Sequence, residues 1–344
     1  MTDRRCAMPW LLALAWTIPA GSAVADVCAA DVDRDGLVGA GDLGLLISAW
    51  GPCGPACPAD VDGDDLVGGA DLAGVLAAWG ERVDRAEDCD DVSEQETLLF
   101  AFDADLHPPG VYTEEMLERD WNDPTWSNGV DEGRVSIVED AEGARALQVS
   151  YPKGSVGTST GGAQWKLRFA PEHRRVRLRY RLRFGDGFDF VRGGKLPGLI
   201  GGAGNTGGGV PTGEDGWSAR LMWREEGAAE QYVYHPDQPA NYGDRMPWTD
   251  ADGGSIRFEP SRWYEVEHEI GLNTPGLNDG SIRCRLDGRI VLERSDLRFR
   301  DIPEIGVDQL YFSTFFGGSS SSWASVRDEV VWFDDFEIVA VESP

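Results

Sequence analysis

The chain has 344 residues, enough for one large domain and a small additional module. Asp and Glu number 60 against 31 Lys and Arg, and the formal net charge of -29 excludes a general nucleic-acid binder. Any site for a polyanion must therefore be a local cluster of cations. The 44 glycines and 13 tryptophans favour an all-β architecture.

The N-terminus has the pattern of a secretory signal peptide. Two arginines precede an apolar run over residues 8–20, and Ala23-Val24-Ala25 is a small-x-small cleavage signal. A membrane anchor needs about 20 apolar residues, and this run is shorter. We expect residues 1–25 to be removed and the protein to be secreted, to the extracellular space, the periplasm or the cell surface. No later segment predicts a membrane span.

A tandem repeat follows, with copies that begin at Asp31 and Asp60. Each copy has an acidic loop and then a short apolar helix that ends in Trp-Gly. Carboxylates at positions 1, 3, 5 and 12 of such a loop suit Ca²⁺, and Gly36 permits the turn at position 6, where the second copy has Asp65. The predicted ligands are Asp31, Asp33, Asp35 and Asp42 in the first loop and Asp60, Asp62, Asp64 and Asp71 in the second.

This repeat, over about residues 28–80, resembles a dockerin, the paired calcium-loop module of secreted carbohydrate-active enzymes. The resemblance implies structural Ca²⁺ in a module over residues 26–80, and a cohesin-like protein or a cell-surface component as its partner. The alternatives are a simple tether and a self-associating module.

Cysteines are concentrated in the same region. Four of them lie within 62 residues of an exported chain, a pattern that predicts two disulfides. The pairs Cys28–Cys53 and Cys57–Cys89 would each enclose one copy of the repeat. Cys284 is left over, and we expect it to be a buried thiol on a strand.

Residues 81–96 are acidic and predict a linker, and residues 97–344 predict one large β domain. Alternating apolar and polar segments are separated by turns rich in Gly, Pro and Asn, without a long amphipathic helix. The pattern predicts an all-β fold, an antiparallel β-jelly-roll sandwich. The predicted strands cover residues 97–102, 134–138, 144–151, 164–169, 175–184, 217–224, 231–235, 263–272, 281–286, 309–316 and 330–339.

One predicted strand carries an unusual row of cations. Period-two alternation places five arginines on one strand face: Arg175, Arg177, Arg179, Arg181 and Arg183. Two interpretations stay open. Arg175, Arg177, Arg179 and Arg181 bind an anionic substrate, or the row is a surface ladder paired with acids on neighbouring strands.

A second group of polar residues has a more specific pattern. Lys195 stands among glycines, where backbone can approach a ligand closely. Ser218 and Arg220 share one strand face, as do Tyr232 and Tyr234 on the next strand. A hairpin centred between these strands would pair residue 218 with 234 and residue 220 with 232, so that four polar side chains form one compact square.

These residue types suit β-elimination from a 4-linked uronate. The C5 proton lies α to a carboxylate and is removed only when the carboxylate charge is neutralised, which Arg220 and Lys195 can do. A base then takes the proton and an acid protonates the leaving O4; Tyr232 and Tyr234 are the candidates, with Tyr234 preferred as base. The chemistry requires no metal or other cofactor.

Six segments resemble polysaccharide lyase family 14, which contains alginate and related polyuronate lyases. The likeness spans about residues 165–340 and implies a β-jelly roll with the active site in a cleft on the concave sheet. It matches the catalytic lysine to Lys195, the serine and arginine to Ser218 and Arg220, and the two tyrosines to Tyr232 and Tyr234. The segments cover residues 193–199, 218–223, 232–234, 272–276, 312–318 and 332–336.

The resulting expectation is a secreted lyase of an acidic polysaccharide. Alginate is the leading substrate, and β-1,4-glucuronan is the alternative. A carbohydrate-binding lectin on the same sandwich would bind glycans without cleaving them. A glycoside hydrolase would need two flanking carboxylates, and no such strand motif is present in the sequence.

Overall fold

The structure is a computed structural model, and it describes residues 27, 29–33, 36–53, 57–62, 66–82, 95–318 and 320–342. The predicted signal peptide, Cys28, Cys89, Asp35, Asp64 and most of the predicted linker lie outside the described residues. The chain divides into two compact units between Gln95 and Glu96. Among the described helices, none has the length and apolar character needed to cross a membrane.

The first unit is built from the two copies of the repeat. It contains the helices α1 (Ala40–Ser48) and α2 (Gly69–Ala77), as predicted, and an antiparallel pair of short strands, β1 (Gly51–Pro52) and β2 (Leu66–Val67). Its core takes equivalent positions from both copies, because Val38 and Leu46 are buried together with Val67 and Val75.

The first unit has two described cysteines, Cys53 and Cys57. Cys53 and Cys57 are free thiols, and a hydrogen bond from Cys57, followed by burial, raises the pKa of Cys53 to about 11. Cys28 and Cys89 lie outside the described residues, so the pairings Cys28–Cys53 and Cys57–Cys89 stay predictions.

The second unit consists of two antiparallel sheets and one short helix, α3 (Glu114–Asp120). All eleven predicted strands are present. The strands are β3 (Gln95–Phe102), β4 (Gly110–Val111), β5 (Ser127–Asn128), β6 (Val135–Glu139), β7 (Arg145–Tyr151), β8 (Ala163–His173), β9 (Arg175–Phe184), β10 (Gly193–Gly202), β11 (Gly216–Arg224), β12 (Ala229–Tyr234), β13 (Asp244–Pro247), β14 (Trp263–Gly271), β15 (Gly280–Leu286), β16 (Arg289–Leu297), β17 (Val307–Phe316) and β18 (Glu329–Glu342).

The two sheets make the predicted all-β sandwich. The seven-stranded sheet has the order β13-β12-β11-β10-β17-β8-β5, and the nine-stranded sheet has the order β16-β15-β14-β9-β18-β7-β6-β4, with β3 paired to β18. One core fills the space between them, in which Trp165 and Phe312 stack with ring centroids 3.9 Å apart. Cys284 on β15 is a fully buried thiol, as predicted.

The arginine row of β9 lies on the outer face of the nine-stranded sheet, because the alternate residues Val176 to Phe184 point into the core. The ion pairs follow the strand order, since β9 is hydrogen-bonded to β14 and β18. The structure therefore corrects the substrate-binding interpretation in favour of the ladder. The pairs are Arg175–Glu269, Arg177–Glu269, Arg179–Glu337 and Arg181–Asp335, while Arg183 lies over the Trp332 ring.

The segment around Lys195 is the central strand β10, not a loop. Its glycines make room for large neighbours, since a Cβ at Gly194 would lie 2.0 Å from the Trp223 ring. Pro197 has no N–H for the ladder, and proline in a sheet is confined to edges and bulges. The register of β10 accordingly shifts between Lys195 and Gly198, which leaves both residues on the outer face.

Candidate active site

The predicted square of polar residues forms on the outer face of the seven-stranded sheet. Strands β11 and β12 pair with Ser218 opposite Tyr234 and Arg220 opposite Tyr232, which confirms the predicted register. The intervening residues Trp217, Ala219 and Leu221 belong to the core between the sheets. Alternation along β11 therefore directs Ser218 and Arg220 away from that core.

A single row of residues crosses the sheet through Arg220. In register order it contains Tyr232, Arg220, Gly198, Tyr311 and Lys166, on β12, β11, β10, β17 and β8. Gly198 has no side chain, and a Cβ there would lie 2.6 Å from the Arg220 Cα. The gap lets the Arg220 guanidinium reach across β10, so that its Cζ lies 5.1 Å from the centre of the Tyr311 ring.

Arg220 is a buried cation without an acidic partner. It is 3 % exposed, and its Nη1 donates a hydrogen bond to the Ser313 Oγ at 3.2 Å. Within the described part of the chain, no carboxylate forms an ion pair with it, and burial lowers its pKa. A guanidinium in this state is prepared to receive a carboxylate from outside the protein.

Lys195 lies beside this row and is half-buried, so its amine reaches the outer face. Its Nζ lies 3.8 Å from the centre of the Tyr232 ring and donates to the Met222 Sδ at 2.7 Å. Burial, followed by the positive charges of Arg220 and Arg224, lowers the pKa of Lys195 well below its ordinary value. The neutral amine, which can accept a proton, is therefore more accessible than in an exposed lysine.

The two tyrosines meet edge to face, with ring centroids 5.6 Å apart. Burial and then the neighbouring Tyr234 raise the pKa of Tyr232, so its hydroxyl retains its proton. The hydroxyl oxygen of Tyr234 accepts a hydrogen bond from the backbone N–H of Gly208 at 3.1 Å. Tyr234 is thus attached to the glycine-rich loop over residues 203–215.

Ser218 is fully buried and its hydroxyl proton already has a partner. The Oγ donates to the backbone carbonyl of Asn205 at 2.7 Å. This bond attaches the same loop to β11, and Ser218 is therefore shielded from solvent on the outer face.

The structure brings four further residues to this face that the sequence did not indicate as site residues. They are Gln164, Lys166, Tyr311 and Ser313. Ser313 holds Arg220, and the Tyr311 hydroxyl donates to the Gln164 Oε1 at 2.7 Å. A signal was present, because Gln164 and Lys166 alternate with apolar residues that lie in the core. The pattern is the same as in β9, and only the three-dimensional pairing distinguishes this face from the ion-paired one.

The first unit brings together three acids from each acidic loop of the repeat. Carboxylate oxygens of Asp31, Asp33 and Asp42 lie within 4.8 Å of one another, as do those of the second-copy residues Asp60, Asp62 and Asp71. Asp42 and Asp71 are buried, and each accepts a backbone N–H at 2.6 Å, from Gly39 and Gly68 respectively. A donor set made only of carboxylate oxygens fits a hard cation such as Ca²⁺.

Comparison with known proteins decides the family. Residues 139–336 match polysaccharide lyase 14. The chain belongs to this family. As a polysaccharide lyase 14 protein it is a carbon–oxygen lyase that acts on polysaccharides, and its sandwich is that of the family. A comparison with curated proteins finds no match.

Solved structures of alginate lyases share the fold of this polysaccharide lyase 14 chain. The alginate lyase Aly36B has a TM-score of 0.60 and 26% identity, covering 70% of this chain and 95% of its own. The marine PL-14 alginate lyase from Aplysia kurodai has a TM-score of 0.60 and 27% identity, covering 72% of this chain and 100% of its own. Alginate lyase vAL-1 from Chlorella virus has a TM-score of 0.52 and 24% identity, covering 62% and 90%, which shows the fold alone.

Proposed function

We propose that this lyase cleaves alginate by β-elimination at the site around Arg220. The observation that carries the proposal is a buried guanidinium with no acidic partner among the described residues, located next to two groups whose pKa values are shifted in opposite directions. Groups whose environments separate their pKa values in this way are the natural acid and base of a site.

Arg220 would bind the uronate carboxylate and neutralise its charge. Neutralisation makes the C5 proton acidic enough to remove, because the negative charge that develops on the carboxylate is stabilised by a preorganised cation. The Ser313 Oγ fixes the guanidinium, and the adjacent Tyr311 ring restricts its motion.

Lys195 would be the base and Tyr232 the acid. The neutral Lys195 Nζ takes the C5 proton, the released electron pair forms the C4–C5 double bond, and the C4–O4 bond breaks. Tyr232 gives its hydroxyl proton to O4. This assignment replaces the preference for Tyr234 as base, because the pKa of Lys195 is lowered whereas that of Tyr232 is raised.

Tyr234 and Ser218 would position the loop over residues 203–215. Both are bonded to its backbone, Tyr234 through the N–H of Gly208 and Ser218 through the carbonyl of Asn205. Tyr234 also contacts the Tyr232 ring, so a shift of the loop would move the acid.

Alginate is proposed as substrate because the two structures at 26% and 27% identity are alginate lyases. Aly36B has also been solved as a variant with a lysine and a tyrosine replaced by alanine, in complex with alginate tetrasaccharide. β-1,4-Glucuronan presents the same 4-linked uronate and is an outcome of the test.

The first unit would be an exported, calcium-stabilised attachment module. The donor geometry of both loops supports Ca²⁺ as its structural ion. Trp50 and Trp79, at equivalent positions of the repeat, are 53 % and 46 % exposed and offer a surface to a cohesin-like protein or a cell-surface partner.

The test is product formation on a panel of alginate, polymannuronate, polyguluronate, glucuronan and pectate. We expect the ultraviolet absorbance of an unsaturated uronate to rise with alginate, and Lys195→Ala to abolish it. Arg179→Met, in the ion-paired ladder of the other sheet, is the matched control and should keep full activity. Binding of alginate without any absorbance would identify a lectin, and absorbance with glucuronan alone would change the substrate.

A further inference from the structure

A second cation lies on the same sheet face as Arg220, on the far side of Tyr311. Lys166 on β8 pairs with Tyr311 on β17, and its Nζ lies 5.4 Å from the centre of the Tyr311 ring. The Arg220 Cζ lies 5.1 Å from the centre of the same ring. The two distances sum to 10.5 Å, which is the largest separation that the two charged groups can have.

Lys166 has no ion-paired carboxylate within the described part of the chain. Its Nζ donates one hydrogen bond, to the Ala203 carbonyl at 3.2 Å. An ammonium has three donors, so two remain for a ligand. Burial and the charges of Arg168 and Arg220 lower the pKa of Lys166, and Asp308 opposes this shift only in part.

This lack of a counterion is informative because the chain is so acidic. Its net charge is -29, and four of the five arginines of β9 are ion-paired with acids of neighbouring strands. On the outer face of the seven-stranded sheet, Arg220 and Lys166 stand together without such pairs. Two like charges on a half-buried surface repel each other unless an anion lies between or beside them.

Aromatic rings complete the surface around Lys166. The hydroxyl of Tyr311 is fixed by its bond to the Gln164 Oε1, so the ring is held in place. Trp126 packs edge-on against it, with ring centroids 6.1 Å apart, and is 39 % exposed. A flat apolar surface beside a cation matches the two chemical parts of a uronate, its sugar ring and its carboxylate.

We propose that Lys166, Tyr311 and Trp126 form a second subsite, which binds a uronate next to the one held by Arg220. Lys166 binds the carboxylate, and Trp126 contacts the sugar ring. The inference rests on the proposed function in one respect, since it takes the ligand to be a polyuronate chain. Affinity for the polyuronate chain would then depend on the binding of two uronates, whereas turnover depends on the residues around Arg220.

The first experiment compares Lys166→Met with Lys153→Met, which alters an exposed turn lysine. Loss of one charge-assisted hydrogen bond should raise KM for alginate about tenfold, with kcat unchanged because Lys166 does not contact the reacting atoms. Lys153→Met should change neither constant. An unchanged KM would overturn the proposal; a lower kcat at constant KM would show instead that Lys166 acts through Ala203 and the loop.

The second experiment measures binding, independently of turnover. In the Lys195→Ala background, affinity for mannuronate oligomers should increase once the oligomer is long enough to reach Lys166, and Lys166→Met should remove that increase. Trp126→Ala should lower the affinity for the same longer oligomers. Because Trp126 is exposed, this variant tests the subsite without disturbing the fold if Lys166→Met lowers the melting temperature. Equal affinities for all lengths and variants would refute the subsite even if the lyase activity is confirmed, and a wild-type protein that cleaves no polyuronate would refute the function instead.

Discussion

Arg220→Met separates the catalytic contribution of the guanidinium from its contribution to stability. Arg220 is 3 % exposed, and its only described hydrogen bond goes to the Ser313 Oγ, while its buried Nε has no hydrogen-bond partner. Methionine is unbranched and uncharged, and its side chain is shorter than that of arginine. The substitution therefore removes the cation that would face the substrate, and it also removes a desolvated charge that the protein does not compensate.

The two effects should have opposite directions. Removal of one preorganised electrostatic contact to a transition state costs about 10²–10³ in kcat, which is roughly 3–4 kcal/mol. Replacing buried ionic groups with apolar ones often stabilises a fold by about 1–4 kcal/mol. The lost contact with Tyr311 and the unpaired Ser313 hydroxyl offset about 1–3 kcal/mol of that gain. The free energy of unfolding should thus stay equal or rise slightly.

Two assays on the same preparation test this reasoning. Initial rates from product absorbance give kcat/KM, and calorimetry gives the melting temperature, for which 1 kcal/mol corresponds to about 2–4 °C in a unit of this size. We expect activity to fall at least a hundredfold (roughly the lower end of the electrostatic loss) with no decrease in melting temperature. Activity close to wild type, or a clear loss of stability, would refute the assignment of Arg220 as the carboxylate-binding cation.

Four further outcomes are expected. The kcat/KM of the wild type should rise with pH through the folded-state pKa of Lys195, which lies well below the ordinary value of 10.5, because the proposed base must be neutral to accept a proton. Lys195→Arg should be inactive at every pH, since arginine stays charged. A pH profile of kcat/KM for both proteins checks both expectations. Ser218→Ala should lower the free energy of unfolding by about 0.5–1.5 kcal/mol and should lower kcat, because the loop loses its hydrogen bond at Asn205. Unchanged kinetics would show that Ser218 does not position the loop for catalysis. Arg179→Met should change the free energy of unfolding by less than about 1 kcal/mol, because the pair with Glu337 is exposed. Chelation of Ca²⁺ should lower the melting temperature of residues 26–80 in the full-length protein and added Ca²⁺ should restore it, whereas identical melting would exclude a structural ion.

Much of the second unit could be predicted because its strands follow strict alternation. Each of the predicted strands is present, and the hairpin register that joins Arg220 to Tyr232 could be derived from the spacing of the two strands around their turn. Period-two patterns indicate directly which residues share a strand face, so the square of polar residues could be predicted from the sequence.

Other features depend on pairing between distant segments, which alternation does not report. Strand β10 resembles a turn in sequence because Gly194, Pro197 and Gly198 are poor strand formers, yet neighbouring aromatic rings and a bulge require them. The rows of Arg179 and of Lys166 look alike, and only their neighbours show that one is paired with acids and the other is not.

The bulge in β10 has a consequence for how the position of Lys195 is encoded. Side chains alternate along a strand, so the additional residue between Lys195 and Gly198 reverses the side of the sheet to which the first half of β10 points. Deleting one residue there would turn the amine inward, towards Trp223 and the interior of the sandwich. A change of two residues would preserve its direction. Segment length, as well as residue type, therefore specifies whether the Lys195 amine reaches the proposed site.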